Sequence, residues 1–434
     1  MDYDKIFSTV KTYADTLIND GTDTYGDIHT PMFCFHLDVK SHKPPHRDYN
    51  PMCVSFDASF QSRCANMDYE NDNFRMLNKL TELTGDKTYA DAADAYMTYF
   101  MEHCVSPTTG LFGWGEHIYY NVFSDDFNYR GHDGHEFEGY LTVWDDLWRI
   151  NPAAVQREIE AIWEYHIHDP VNLNFDRHAH WIDGHNDGVG FINHGMNYVY
   201  CFAFLHKVTG NPEYLDWAVR LTKSRYDARD EKGMAPACVV RDARGNHSTE
   251  YICSYAQGGG ADFLTFAYRE SPHPFLLQAA EDYLKASFAY GLDDVLKSSR
   301  ETDAEDDGGC LYYFTQGLLN VYEANGNSWA LDKAKEITSL APKYFFKGGE
   351  DWGANESGFC GQIIQDCVRL HRLTGEQIWL DIAAQKAQYA YDNLFKGDLF
   401  TYTSEGMVSD RYCARGDAPL GYGFILLAER LKEI

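Results

Sequence analysis

Histidine gathers in one stretch of this chain: eleven of its 18 histidines lie between His103 and His206. The richest pieces are Gly113-Trp-Gly-Glu-His117, Gly131-His-Asp-Gly-His-Glu136 and Asp176-Arg-His-Ala-His180. A neutral imidazole offers nitrogen and a carboxylate offers oxygen, a common ligand set for a divalent transition metal. Ligands drawn from separate loops keep no fixed spacing. Any one of these histidines is more often a hydrogen-bonded structural residue, but three such segments together are harder to explain that way.

Paired carboxylates are the competing chemistry. Asp133, Glu138, Asp145, Asp146, Asp183 and Asp187 all fall in or beside the same stretch, the last two within a Gly-rich acidic loop. Hydrolysis of a glycosidic bond uses two carboxyl groups, one of them kept protonated. With 66 acidic residues in the chain this pattern has low specificity, and each candidate alone is more often solvated surface or a helix cap.

Aromatic residues make up 15% of the chain, with 31 Tyr, 26 Phe and 9 Trp. Flat rings that keep a polar edge in water suit the C–H faces of sugars, although such rings also fill a large core. Trp114, His135, His180, Trp181, Asp187, Tyr251 and Trp352 are the expected saccharide contacts. Arg411 and Arg415 could present guanidinium forks to uronate carboxylates, with a structural ion pair as the plainer alternative.

The formal net charge is −29, from 66 acidic and 37 basic residues. Such a field repels nucleic acid and anionic membranes, so neither is an expected partner. An acidic saccharide would have to be held by local Arg, His or metal. No stretch approaches the roughly 20 apolar residues that span a bilayer. Eleven cysteines without a C-x-x-C pair read as reduced, buried thiols, which points to a cytoplasmic protein unless a secretory leader has been removed. There is no P-loop, no G-x-G-x-x-G after a strand and no G-x-S-x-G elbow.

These side chains need a scaffold, and a degenerate repeat supplies one. An apolar helix ends in Thr-Gly or Asn-Gly, a short polar turn follows, and an aromatic opens the next helix. The copies are Leu83-Thr-Gly-Asp-Lys-Thr-Tyr89, Val208-Thr-Gly-Asn-Pro-Glu-Tyr214, Ala324-Asn-Gly-Asn-Ser-Trp329 and Leu373-Thr-Gly-Glu-Gln-Ile-Trp379. Asn151-Pro152 and Asn211-Pro212 are start signals of cap residue then proline. No period-2 run is long enough for a substantial sheet. Helix pairs stacked in sequence bury their apolar faces by curving into a ring. The expected fold is all-α, an (α/α) toroid or barrel of six to seven helical hairpins in a single domain, 1–434, with Gly-rich loops building the site on one rim.

The three histidine-rich segments resemble those of the family 2 polysaccharide lyases, which cut pectate, most firmly over residues 110–182. That resemblance implies that His117, Glu136 and His178 bind one divalent metal, manganese or similar, and that Arg177 is the base, with His178 beside it in the catalytic pair. The implied reaction is metal-assisted β-elimination on a uronate-containing oligosaccharide. Arginine is a poor base in water, its pKa exceeding about 12, so Arg177 as a plain carboxylate clamp stays open. Three other readings also stay open: a hydrolase of the same barrel class (a glucuronidase or unsaturated-uronyl hydrolase), a non-catalytic saccharide-binding protein, and, behind these, a sugar epimerase. Self-association is left open as well.

Overall fold

A computed structural model describes residues 1–45, 63–115, 117–129, 134–137, 139, 141–167, 171, 173–184, 189–236, 238–241, 247–250, 254–290, 311–340, 356–406 and 408–434. It consists of helical hairpins, as the repeat predicts. At each repeat the glycine (Gly85, Gly210, Gly326, Gly375) ends the first helix with φ between 70 and 77°. The preceding threonine explains the motif. Thr209 donates its hydroxyl to the carbonyl of Leu205 and accepts the N–H of Asn211, so one side chain ties the last helical turn to the connection. Thr84 and Thr374 do the same.

The chain forms two compact units. The first comprises Met1–Ser106, Phe112–Pro152 and Phe345–Ile434. In it Asn71–Thr84 pairs with Thr88–His103, Glu356–Thr374 with Gln377–Asn393, and the C-terminal helix Ala414–Glu433 with the N-terminal Tyr3–Asp20. The first-named helix of each pair also packs on its counterparts, so Ala414–Glu433 lies between Asn71–Thr84 and Glu356–Thr374. Glycine permits that approach: a Cβ at Gly361 would sit 2.4 Å from the backbone of Pro419 and Leu420.

The second unit comprises Pro107–Leu111 and Ala153–Tyr344. Its hairpins are Ile192–Thr209 with Pro212–Asp227, Ser254–Glu270 with Pro274–Tyr290, and Leu311–Asn325 with Ser328–Thr338. Here Ser254–Glu270 packs between the other two leading helices. Ile192–Thr209 is buried nearly all round from Ile192 to Leu205, whereas its partner buries one face, the inner and outer roles a layered helical fold demands. Two shorter helices follow one another in the chain, Trp144–Ile150 in the first unit and Pro152–Ala161, nearly all of it in the second.

The strands are short and belong to the loops. Cys64–Ala65, Ile118–Asn121 and Asp126–Tyr129 form one antiparallel ribbon in the first unit. His36–Asp38 pairs with Arg411–Cys413. Val189–Phe191, Cys238–Arg241 and His247–Glu250 form a ribbon in the second unit. Seven described cysteines, Cys34 and Cys413 among them, are buried and outside any disulfide, in keeping with the expected thiols. Among the described residues no helix is long and apolar enough to cross a membrane.

Candidate metal centre

In the first unit two loop segments are locked together three residues before His117 and one before Glu136. Trp114 donates its indole N–H to Nε2 of His135 at 2.7 Å. The next residue, Gly115, has φ +97°, and a Cβ there would meet the carbonyl oxygen of Glu136 at 2.3 Å. Only glycine takes that conformation and that proximity together without strain. Asn66 grips the same glycine, its amide donating to the Gly115 carbonyl at 2.7 Å and its oxygen accepting the Gly115 N–H at 3.3 Å. The outcome is a close pair: Nε2 of His117 lies 3.6 Å from Oε2 of Glu136, both side chains buried.

In the second unit the segment from Asp176 to His180 is held by its main chain. The Asp176 N–H donates to the carbonyl of His166, in the π-helical turn Ile162–His166. The Asp176 carbonyl accepts the Tyr198 hydroxyl at 2.9 Å and lies 3.0 Å from Nδ1 of His166. Tyr198 also donates to the Arg177 carbonyl at 3.3 Å. The Arg177 guanidinium lies over the Phe191 ring, 5.3 Å from its centroid. His178 is buried.

The first unit thus brings an imidazole and a carboxylate together in His117 and Glu136, and the second holds the His178 imidazole; all three residues are buried. Two imidazoles and a carboxylate are a donor set that manganese, iron or zinc accepts, and the burial removes competing water, so the residues fit such an ion.

A family model described as periplasmic pectate lyase matches residues 45–238. That stretch resembles the family 2 pectate lyases. A curated relative, the pectate disaccharide-lyase of Dickeya dadantii (strain 3937), is 22% identical over 233 residues. The match takes in 47% of this chain and 41% of that enzyme, so the chain spans about two fifths of its length. Among solved structures, a GH76 alpha-mannanase from Bacteroides thetaiotaomicron has a TM-score of 0.54 at 11% identity, covering 100% of this chain and 97% of that one. An unsaturated glucuronyl hydrolase specific for heparin has a TM-score of 0.51 at 12% identity, covering 99% and 98%. These likenesses show the fold, the expected (α/α) barrel of helical hairpins.

The pectate lyase match is wider than 110–182 and contains His117, Glu136, Arg177 and His178, whereas Tyr251, Trp352, Arg411 and Arg415 lie beyond it. Several expected saccharide contacts are placed differently by the structure. Trp114 is fully buried among Phe100, Phe112, Phe137 and Trp144, so its ring supports the loops and offers no face to a sugar. His135 is equally buried. Trp181 is buried, donating to the Leu111 carbonyl while its own carbonyl accepts the Thr109 hydroxyl. Arg411 is buried in its strand, 3.7 Å from Asp410. Burial, with the Arg411 charge alongside, holds the His36 imidazole down at about 3.

His180 is half-buried, 3.6 Å from Asp183, and Arg415 is half-buried in the first turn of Ala414–Glu433. Asp187, Tyr251 and Trp352 lie outside the described residues, as do Asp133 and Glu138. Of the remaining carboxylate candidates, Asp146 pairs with Arg149 at 3.3 Å and Asp145 is exposed. Burial raises the carboxyls of Glu70, to about 8, of Asp417, to about 7, and of Asp23, and none of these was among the sequence candidates. Nor were Asn66, His166 and Tyr198, because a lone polar residue carries no sign of a contact tens of residues away.

Proposed function

We propose that this chain is a metal-assisted β-eliminating lyase acting on uronate-containing, pectate-like oligosaccharides. The observation that carries the reading is the buried His117–Glu136 pair, 3.6 Å apart, together with a buried His178 that Arg177 immediately precedes in the chain. The resemblance of residues 45–238 to the pectate lyases supports it.

A bound divalent ion would supply positive charge to the uronate carboxylate as the C5 proton is lost. His117, Glu136 and His178 would hold that ion. Elimination breaks the C5–H and C4–O bonds, forms a C4–C5 double bond and sends the electron pair out on the 4-linked oxygen, which takes up a proton. Arg177 is the proposed acceptor of the C5 proton. The hydrogen bonds from Tyr198 fix the main chain on which it stands, so little freedom remains to be lost when substrate binds. Excluding water weakens the hydration of a guanidinium and lowers the cost of its neutral form. The partner proposed is thus an oligosaccharide. The buried free thiols support a reducing, cytoplasmic location, to be checked by fractionation against a family described as periplasmic.

Incubation with oligogalacturonate and manganese should raise the ultraviolet absorbance of an unsaturated uronide, and a chelator should abolish the rise. No rise across several uronate polymers with metal present sinks the lyase reading. Reducing sugar released without new absorbance, indifferent to chelator, would mark hydrolysis instead.

A further inference from the structure

Asn66 is fully buried at the point where a strand becomes a helix. Just before it, Cys64–Ala65 pairs with Asn121 and Tyr120, in the strand that leads on from His117. Just after it, the turn Met67–Glu70 runs into Asn71–Thr84, the helix against which the C-terminal helix packs. Its side-chain oxygen accepts the N–H of Asp68, which caps that turn, and also the N–H of Gly115. Its amide donates to the Gly115 carbonyl. One side chain therefore joins the start of a scaffold helix to both main-chain groups of a loop glycine.

That glycine lies two residues before His117 and presses on the main chain of Glu136. A shift of the Gly115 peptide would move the His117 side and the Glu136 side of the pair against each other. We infer that Asn66 is a positioning residue for the metal centre, setting the His117–Glu136 spacing through Gly115. The inference rests on the metal reading of that pair. A helix cap alone needs only the oxygen; the amide donated to Gly115 serves the loop. Partners behind metal ligands commonly tune affinity by about 10- to 100-fold, because a ligand held off its place must be pulled back by the ion.

Two variants separate capping from positioning. Asn66→Ser keeps a capping oxygen and is too short to span Gly115, while Asn66→Asp keeps the cap and replaces the donor with an acceptor facing the Gly115 carbonyl. Manganese affinity measured by paramagnetic resonance should fall by about 10- to 100-fold in each, with helicity unchanged. Affinity within twofold of the parent in a folded variant overturns the proposal.

Hydrogen exchange of the 113–119 segment is the second readout, and it needs no metal. Exchange there should speed up in the variants while Thr88–His103 stays protected; unchanged exchange overturns the proposal. If the parent protein binds no manganese, the metal reading fails on its own, and exchange alone judges the placement by Asn66. If neither variant folds, the Gly115 amide of the parent decides: it should be as slow as the ladder amides of Ile118–Asn121, and fast exchange overturns the role.

Discussion

The indole N–H of Trp114 and the imidazole Nε2 of His135 meet at 2.7 Å with both rings buried. Since Nε2 accepts, the His135 proton sits on Nδ1 and the ring is neutral. This bond ties the residue before Gly115 to the residue before Glu136. Trp114→Phe keeps most of the packing but leaves Nε2 of His135 without its donor. That should cost about 1–3 kcal/mol, read as a lowered thermal midpoint, together with weaker manganese binding. An unchanged midpoint would mean that the bond contributes nothing to stability.

Gly115 combines a left-handed backbone with contact against Glu136. Gly115→Ala places a methyl where the Glu136 carbonyl stands, so the loop must move. A loss of about 1–3 kcal/mol in chemical denaturation is expected, with manganese affinity reduced in whatever protein remains folded. A variant that binds the metal as the parent does would contradict the packing described.

The proposed ligand and the proposed base should separate experimentally. Glu136→Gln is nearly isosteric but removes the charge, so manganese binding by calorimetry should be lost. Arg177→Lys should leave metal affinity within a few-fold and lower turnover by at least about 100-fold, since a lysine cannot reproduce the planar guanidinium over Phe191. Equal loss of metal in both variants would argue against distinct roles.

The pH dependence of stability should carry the mark of Glu70. Burial raises its carboxyl to about 8, against the hydrogen bond from Asn73, which favours the charged form. The folded state keeps a proton that the unfolded chain has released above the ordinary carboxylate range. The stabilisation is therefore full below roughly pH 4 and is lost as pH climbs through the folded value near 8. Asp417, raised to about 7 by burial, acts in the same direction. Stability should fall from about pH 5 to about pH 8, by up to ~1.4 kcal/mol per pH unit for each group, read as a declining thermal midpoint. Glu70→Gln mimics the protonated carboxyl and should flatten the slope. Parallel profiles in parent and variant would show that Glu70 does not titrate this way.

Much of the fold was legible because its signals are local. Thr209 and Gly210 end a helix through bonds that reach four residues back and two forward, and a repeat of such bonds is visible as a repeat of letters. The proposal of metal ligands rests on a different kind of signal: His117, Glu136 and His178 stand in unusual local company, and residue type already states ligand chemistry. The aromatic and arginine contacts were harder to read. Trp114, Trp181 and Arg411 have the right chemistry for a sugar, yet letters do not record which way a side chain faces, and the structure buries all three.

The amino-acid sequence by itself determined the helical hairpins, the net negative charge and the residue types that can bind a cation, because each follows from neighbours in the chain or from composition. Tertiary structure alone decided which distant residues meet. Asn66 meets Gly115 across 49 residues, Trp114 meets His135 across 21, and His166 and Tyr198 close on Asp176 from separate elements. Such meetings depend on how whole helices pack, and packing is settled by the sum of many weak contacts that no short stretch of sequence contains.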